Sequence, residues 1–442
     1  MTSFNFASTH RDDQTLAALH DWNQTISDEN RLLKYSKMVC SPLVFFRGTN
    51  HFFWRDFANH PELDNFGNTQ TKIWIQGDLH PDNFGSFHND ENRVIYGLND
   101  FDEAVIADYQ YDIWRMAIGL VLVTQQHKDF KKSDQKEFIE QFCLGYLRTI
   151  SAVVEAESLS DLEFTKQNTY GKLDDFLKEV EESESRQDML DKWTNVQGGD
   201  RYYDLSSDKL APATEAERQE ILGQMPEYGK TLTGGLEYDP KYFRVKDIAR
   251  RLLAGTGSLG VPRFYIVIEG DQDHHKYDCI LDVKYQGKPT PYKYLGKAFQ
   301  KDYDKQFEND AQRQAIAYKA LVKNTDEHLG WLKLDDDFYS VRERSPYKEA
   351  FPLDILTSKK RFTKLAEQWG KILATSHCHS NPEAPDQSTK SFAETVHRLA
   401  HGEARKAEFC QLVQKVAFNY AHQTKLDWQA FKFAHPALTC FE

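Results

Sequence analysis

Two short acidic turns, each placed directly after an apolar strand-like run, constrain this chain more than any other feature in it. The first reads GDLHPDN at 77–83 and follows KIWIQ at 72–76. The second reads NDFD at 99–102 and follows VIYGL at 94–98, so that Asp100 comes twenty-two positions after Asp78. Gly, Asp, Asn and Pro are ordinary turn residues, and either stretch by itself is readable as a turn. Two of them at strand ends, only a tight hairpin apart, place carboxylates in one cleft on a rigid support.

Phosphoryl transfer calls for such an arrangement. One carboxylate orients or deprotonates the attacking hydroxyl, and Mg²⁺ is held by oxygen ligands, typically an Asp and an Asn from separate loops. Asp78 suits the first task, and Asn83 with Asp100 and Asp102 suits the second. The expected catalytic set is therefore Asp78, Asn83 and Asp100, and the expected metal set Asn83, Asp100 and Asp102.

These residues carry a resemblance. The 77–83 stretch resembles the catalytic loop of aminoglycoside-phosphotransferase and choline-kinase-like enzymes, whose pattern is HGDLHPxN. NDFD at 99–102 resembles their Mg²⁺-binding IDFxD segment, a relative of the protein-kinase DFG, and DYQYD at 108–112 is similar to the DPxYD that follows it. The resemblance implies ATP and Mg²⁺ as cofactors and a structural role for Asp112 beneath the catalytic loop. Gln76 stands where the family usually has a His that is not the base.

A kinase-like fold also needs a Gly-rich loop between two strands and a lysine on the next strand. Nothing upstream of Asp78 supplies these. Downstream, GTGSLG at 255–260 lies between strand-like runs at 242–253 and 261–269, and LDVK at 281–284 ends a third. Gly255, Gly257, Ser258 and Gly260 are the expected phosphate cradle, because backbone N–H groups must approach phosphate oxygens with no Cβ in the way. Lys284 is the expected phosphate-holding lysine; a plain hairpin with a surface lysine is the alternative. A Rossmann loop would want a helix straight after the glycines, where a strand pattern follows instead.

The two halves of such a site occur in reversed order. The expected fold is α+β, a two-lobed protein-kinase-like (aminoglycoside phosphotransferase-like) fold, circularly permuted. Residues 1–240 form the catalytic-loop and helical C-lobe-like part, 241–350 the β-rich nucleotide-binding N-lobe-like part, and 351–442 the helices that complete the C-lobe. Most of the chain also resembles a bacterial family catalogued as domain of unknown function 2252. That resemblance rests on FFRG at 45–48, the two acidic turns, the glycine loop, Lys284, Asp326 with Leu329-Gly330, and FYSVR at 338–342 with Lys348. It implies the permuted fold and brings no substrate with it.

A lysine placed like Lys284 usually pairs with a Glu on the next helix. Glu308 is the first choice, with Asp310 and Gln312 competing. Arg47, among Phe45, Phe46 and Gly48, needs an anion, which is a phosphate, a substrate or a structural Asp. Arg342 and Lys348 are surface charge, or else phosphate or substrate contacts. His80 is expected to orient the loop by hydrogen bonding, and Trp54 and Asp56 to pack. The 42–48 run reads as a short strand or packed loop, and 191–240 as a loop or linker.

A net charge of −13 makes a nonspecific nucleic-acid or anionic-membrane binder a poor fit. The longest apolar stretch, 117–123, is too short to span a bilayer, and the first residues lack the pattern of a signal peptide. The six cysteines form no CxxC pair and read as mostly buried reduced thiols of a cytoplasmic protein. His377-Cys378-His379 reads as a helix end rather than a metal site. The expected function is ATP- and Mg²⁺-dependent phosphotransfer to a hydroxyl acceptor. A small molecule is favoured over a protein because the HRD lead of protein kinases is missing, and nucleotidyl transfer is open. A nucleotide-binding pseudokinase without turnover and a metal-dependent phosphoesterase built on Asp78, His80, Asp82, Asp100 and Asp102 are the competing readings.

Overall fold

The described chain opens with four helices, α1 (Arg11–Trp22), α2 (Asp28–Met38), α3 (Pro42–Gly48) and α4 (Asn50–Phe57). The structure is a computed structural model and describes residues 11–127, 129–156, 162–252, 259–379 and 390–441. The 42–48 run, expected as a strand or packed loop, is helical. Ser41 caps it by accepting the Val44 N–H at 3.3 Å, and Pro42 fits the first turn, where no N–H is needed.

The next four elements are β1 (Lys72–Ile75), β2 (Phe84–His88), β3 (Val94–Leu98) and β4 (Val105–Asp108). They pair antiparallel as β1 with β4 and β2 with β3. Ile75 at the end of β1 faces Val105 at the start of β4, and Phe84 at the start of β2 faces Leu98 at the end of β3. This register puts the connections β1→β2 and β3→β4, the two acidic turns, side by side at one end. Below them runs α5 (Gln110–Thr124), buried along its whole length.

Next come α6 (Lys132–Glu155), α7 (Lys172–Ser183), α8 (Arg186–Trp193), β5 (Thr194–Gln197), β6 (Asp200–Tyr203), β7 (Leu210–Pro212) and α9 (Glu215–Gly229). The expected linker at 191–240 thus holds a hairpin, an edge strand and a helix started by a Thr214–Glu217 capping box. After α9 come β8 (Val245–Arg251), β9 (Arg263–Ile268), β10 (Cys279–Tyr285), α10 (Thr290–Tyr294), α11 (Lys297–Gln306), α12 (Asp310–Leu321), β11 (Gly330–Leu334) and β12 (Asp337–Glu343). The strands form a six-stranded sheet in the order β11-β12-β10-β9-β8-β7, antiparallel at each pairing. The sheet therefore reaches back to Leu210. Phe264, Ile266 and Ile268 of β9 pack with Ile221 and Met225 of α9, while Tyr265 and Val267 pack with Leu190 and Trp193 of α8. Coverage of both faces explains why β9 reads as a continuous apolar run.

The remaining helices, α13 (Lys359–His379), α14 (Lys390–Leu399) and α15 (Gly402–Ala434), pack on α5 and α6. Gly145 and Gly370 mark the closest crossing of α6 with α13; a Cβ on either would collide with a carbonyl oxygen of the other helix. The fold is mixed helix and sheet, α+β. No helix among the described residues is long and apolar enough to cross a membrane.

One cysteine expectation is corrected. Cys40 and Cys440 form a disulfide across a sequence separation of 400, beside the hydrogen bond from the Phe441 N–H to the Ser36 carbonyl. Cys143, Cys279, Cys378 and Cys410 are buried free thiols, as expected. Packing of α1 and α3 against α15 brings the distant pair together, and no spacing in the sequence signals it.

Candidate active site

Gly77 carries the first turn. Its φ of +81° suits glycine, and a Cβ there would collide with the Glu103 carbonyl oxygen. The Asp112 carboxylate on α5 accepts the N–H groups of Gln76 at 2.7 Å and Gly77 at 2.9 Å. Trp54 and Asn50 of α4 donate to the Gly77 carbonyl at 3.0 and 3.2 Å. Gln76 joins the two turns. Its side chain accepts the Asp78 N–H at 2.8 Å and donates to the Asp100 carbonyl at 2.6 Å. The Asn83 amide donates to the Asp78 carbonyl at 3.0 Å, which leaves the amide oxygen as a ligand atom.

The Asp78 carboxylate pairs with Arg115 of α5, three residues after Asp112. Arg115 lies over the Phe46 ring at 4.1 Å and donates to the Phe46 carbonyl at 3.2 Å, so its guanidinium is locked. Burial pushes the Asp78 carboxyl up to about 7 against the pull of Arg115, with Glu103 and Asp100 adding to the rise. A carboxyl that titrates near neutrality is suited to accept a proton from a hydroxyl.

Asp100 adopts a left-handed φ of +61°, a costly conformation for a non-glycine residue. Its half-exposed carboxylate lies 3.5 Å from the Lys284 ammonium, which also contacts Asp102. Gln286, two residues on along the same strand direction, donates to Asp102 at 2.9 Å. Burial opposes ionisation of Asp100, yet Lys284, Lys348 and Arg342 hold its carboxyl well below the usual carboxylate range. Burial disfavours the charged Lys284, but Asp100 and Asp102 raise it overall. One cavity of about 290 Å³ is lined by Asp78, Asn83, Asp100, Asp102 and Lys284 together. The carboxylates of the two turns and the lysine of the sheet therefore face the same space.

Several expected residues fall elsewhere. Gly255, Gly257 and Ser258 lie outside the described residues. Gly260 is described, and packs against Ile26 and Asn30 at the α1–α2 connection. Glu308 is exposed between α11 and α12, away from the cavity lining, and Asp102 and Asp100 take the place it was expected to fill beside Lys284. Neither Asp310 nor Gln312 reaches Lys284: Asp310 accepts from Tyr303, and Gln312 accepts the Glu308 N–H. Arg47 lines the cavity and pairs with Asp82 at 2.8 Å. Arg342 and Lys348 line a smaller space behind Asp100, with Asn99 and Asp282. The His80 ring is buried, and among the described residues its Nδ1 has no partner, so Gln76, Asn83 and Asp112 hold the loop in the way expected of it. Trp54 packs as expected and also grips the loop, while Asp56 pairs with Arg11 and Arg55. His377, at the end of α13, lies 3.3 Å from Asp112 and 2.9 Å from the Tyr146 hydroxyl, which makes it a support for the loop.

Other residues of the site escaped the sequence reading. Arg115 sits inside an apolar helical run and looks like part of a core stripe, although its i, i+3 relation to Asp112 was a usable signal. Gln286 shares the strand face of Lys284 by the period of two, also a usable signal. Trp22, Lys34, Asn50 and His51 bring the N-terminal helices to the cavity wall, and no local pattern marks them.

The chain belongs to the family described as "Uncharacterized protein conserved in bacteria (DUF2252)", whose model matches residues 28–434. No curated protein and no solved structure matches it.

Proposed function

We propose that this chain is an ATP- and Mg²⁺-dependent phosphotransferase with a kinase-like active site on a circularly permuted two-lobed fold, acting on a hydroxyl acceptor, a small molecule in preference to a protein. One observation carries the reading. Lys284, at the end of β10, lies on Asp100 and Asp102, 184 and 182 residues away in sequence, within the cavity that also holds Asp78. A phosphoesterase with two metals would want that central position for a cation of its own, and here the chain supplies an ammonium instead.

In this reading Asp78 takes the proton of the attacking hydroxyl, and the Arg115 pair fixes the direction of its carboxylate. Lys284 holds nucleotide phosphates. Oxygen donors from Asp100, Asp102 and Asn83 fit a hard cation, and bound Mg²⁺ would neutralise charge on the phosphates. Gln76 keeps the proton-accepting and metal-holding turns in fixed relation. The proposed place of work is the cytoplasm, where glutathione would hold the Cys40–Cys440 pair as thiols.

The test is incubation with γ-labelled and α-labelled ATP and Mg²⁺. Transfer of the γ label, lost in both Asp78→Ala and Lys284→Ala, is the expected result. Transfer of the α label would reassign the chemistry to nucleotidyl transfer. No transfer of either label, to any acceptor or to the protein itself, overturns the proposal.

A further inference from the structure

Lys34 is a buried ammonium. Its residue is 3% exposed, it lies at the wall of the active-site cavity, and its Nζ donates to the neutral Asn23 amide at 2.8 Å. Among the described residues no carboxylate is in ion-pair range of it. Two further polar groups of the same wall are incomplete. Among the described residues, both ring nitrogens of His51, 1% exposed, lack partners, as does the Asn50 amide oxygen. A burial of this kind is costly unless something arrives to satisfy it. His51 stacks flat on Trp22 at 4.6 Å, which sets its ring plane and leaves its edge for polar contact.

We propose that this wall is the acceptor subsite, and that the acceptor is a small hydroxyl compound carrying a carboxylate or phosphate group that Lys34 binds, with Asn50 and His51 meeting its polar body. The position favours the acceptor over the nucleotide. Asn50 bonds to the Gly77 carbonyl, next to Asp78, so this wall adjoins the proton-accepting turn, whereas Lys284 belongs to the sheet. The surroundings suit an anion: the positive charges of Lys34, Arg55, Lys293 and Arg115 all act on His51, and after burial they hold it neutral. Burial pushes Lys34 down to about 8, with only Glu103 opposing. An arriving anion would supply the countercharge and raise it again.

The word acceptor rests on the phosphotransferase reading; the anion site does not, and the test separates them. The probes are glycerol 3-phosphate, glycerate and neutral glycerol, titrated calorimetrically into the full chain with and without a nonhydrolysable ATP analogue and Mg²⁺. Either anion is expected to bind and glycerol not, and which anion binds tells phosphate from carboxylate. Lys34→Met should weaken anion binding about ten- to a hundredfold, the worth of a hydrogen bond to a charged group, and leave the nucleotide analogue unaffected. Lys284→Met should do the reverse. His51→Phe, which keeps the stack on Trp22, serves as a second variant and should weaken the anion about tenfold. Equal binding of anions to wild type and Lys34→Met, equal binding of glycerol, or loss of the nucleotide analogue in Lys34→Met overturns the proposal. Anion binding that depends on Lys34 in a protein that transfers no label would keep the site and remove the phosphotransferase.

Discussion

Asp78→Asn tests the electrostatics of the site independently of any substrate. In the folded chain burial lifts this carboxyl from 3.8 to about 7 despite Arg115. A raised folded-state value means that the folded state binds the proton more tightly than the unfolded chain does. The resulting stabilisation is complete below pH 3.8 and is lost as pH rises through 7. A shift of roughly three pH units corresponds to at most about 4 kcal/mol. About 2.5 kcal/mol of that falls between pH 5 and pH 8 by the same linkage relation. The Asn variant cannot titrate and escapes this loss, although its orphaned Arg115 lowers its stability by an amount that does not vary with pH. Urea melts of wild type and Asp78→Asn at matched pH should therefore show the difference between them moving in favour of the variant by about 2.5 kcal/mol from pH 5 to pH 8. A difference that stays flat would mean that Asp78 titrates like a surface carboxylate, and the argument for a neutral-pH proton acceptor would fail.

Gly77→Ala forces a side chain onto a left-handed backbone and into the Glu103 carbonyl, and should cost roughly 3 kcal/mol or more in a urea melt and abolish label transfer. A wild-type melt would refute the tight apposition of the two turns. In denaturant without reductant, a thiol count should give the four free cysteines, rising to six after reduction; six from the outset would show that the Cys40–Cys440 link does not form. Cys40→Ser should lower stability by roughly 2–4 kcal/mol in oxidising buffer and hardly at all under reductant.

What the sequence disclosed was what is local. The strands around Asp78 and Asp100 and the lysine at the end of β10 announce themselves because turn chemistry and period-two patterning act over a few residues. The support of Asp112 for the loop was expected from the resemblance of DYQYD at 108–112 to a family motif, and the Asp112 carboxylate does accept the Gln76 and Gly77 N–H groups. What stayed hidden depends on distant parts meeting. Lys284 finds Asp102 rather than Glu308 because the sheet folds down over the acidic turns, a relation set by tertiary packing. Lys34 and His51 line a cavity only because α2 and α4 are carried there by contacts with α15 and α10. The 42–48 run shows a local error of another kind, in which a serine cap and a well-placed proline outweighed an apolar pattern.

The bond between residues 40 and 440 turns nearly the whole polypeptide into a ring. In an oxidising medium, a protease nick at any one point between them would release no fragment. The nicked protein would migrate as one band on a nonreducing gel and separate only when thiols are added. Asp78 and Lys284 would stay tethered from one side even if the backbone between them were severed, so a cut chain could reassemble its cleft without having to find a lost half by diffusion.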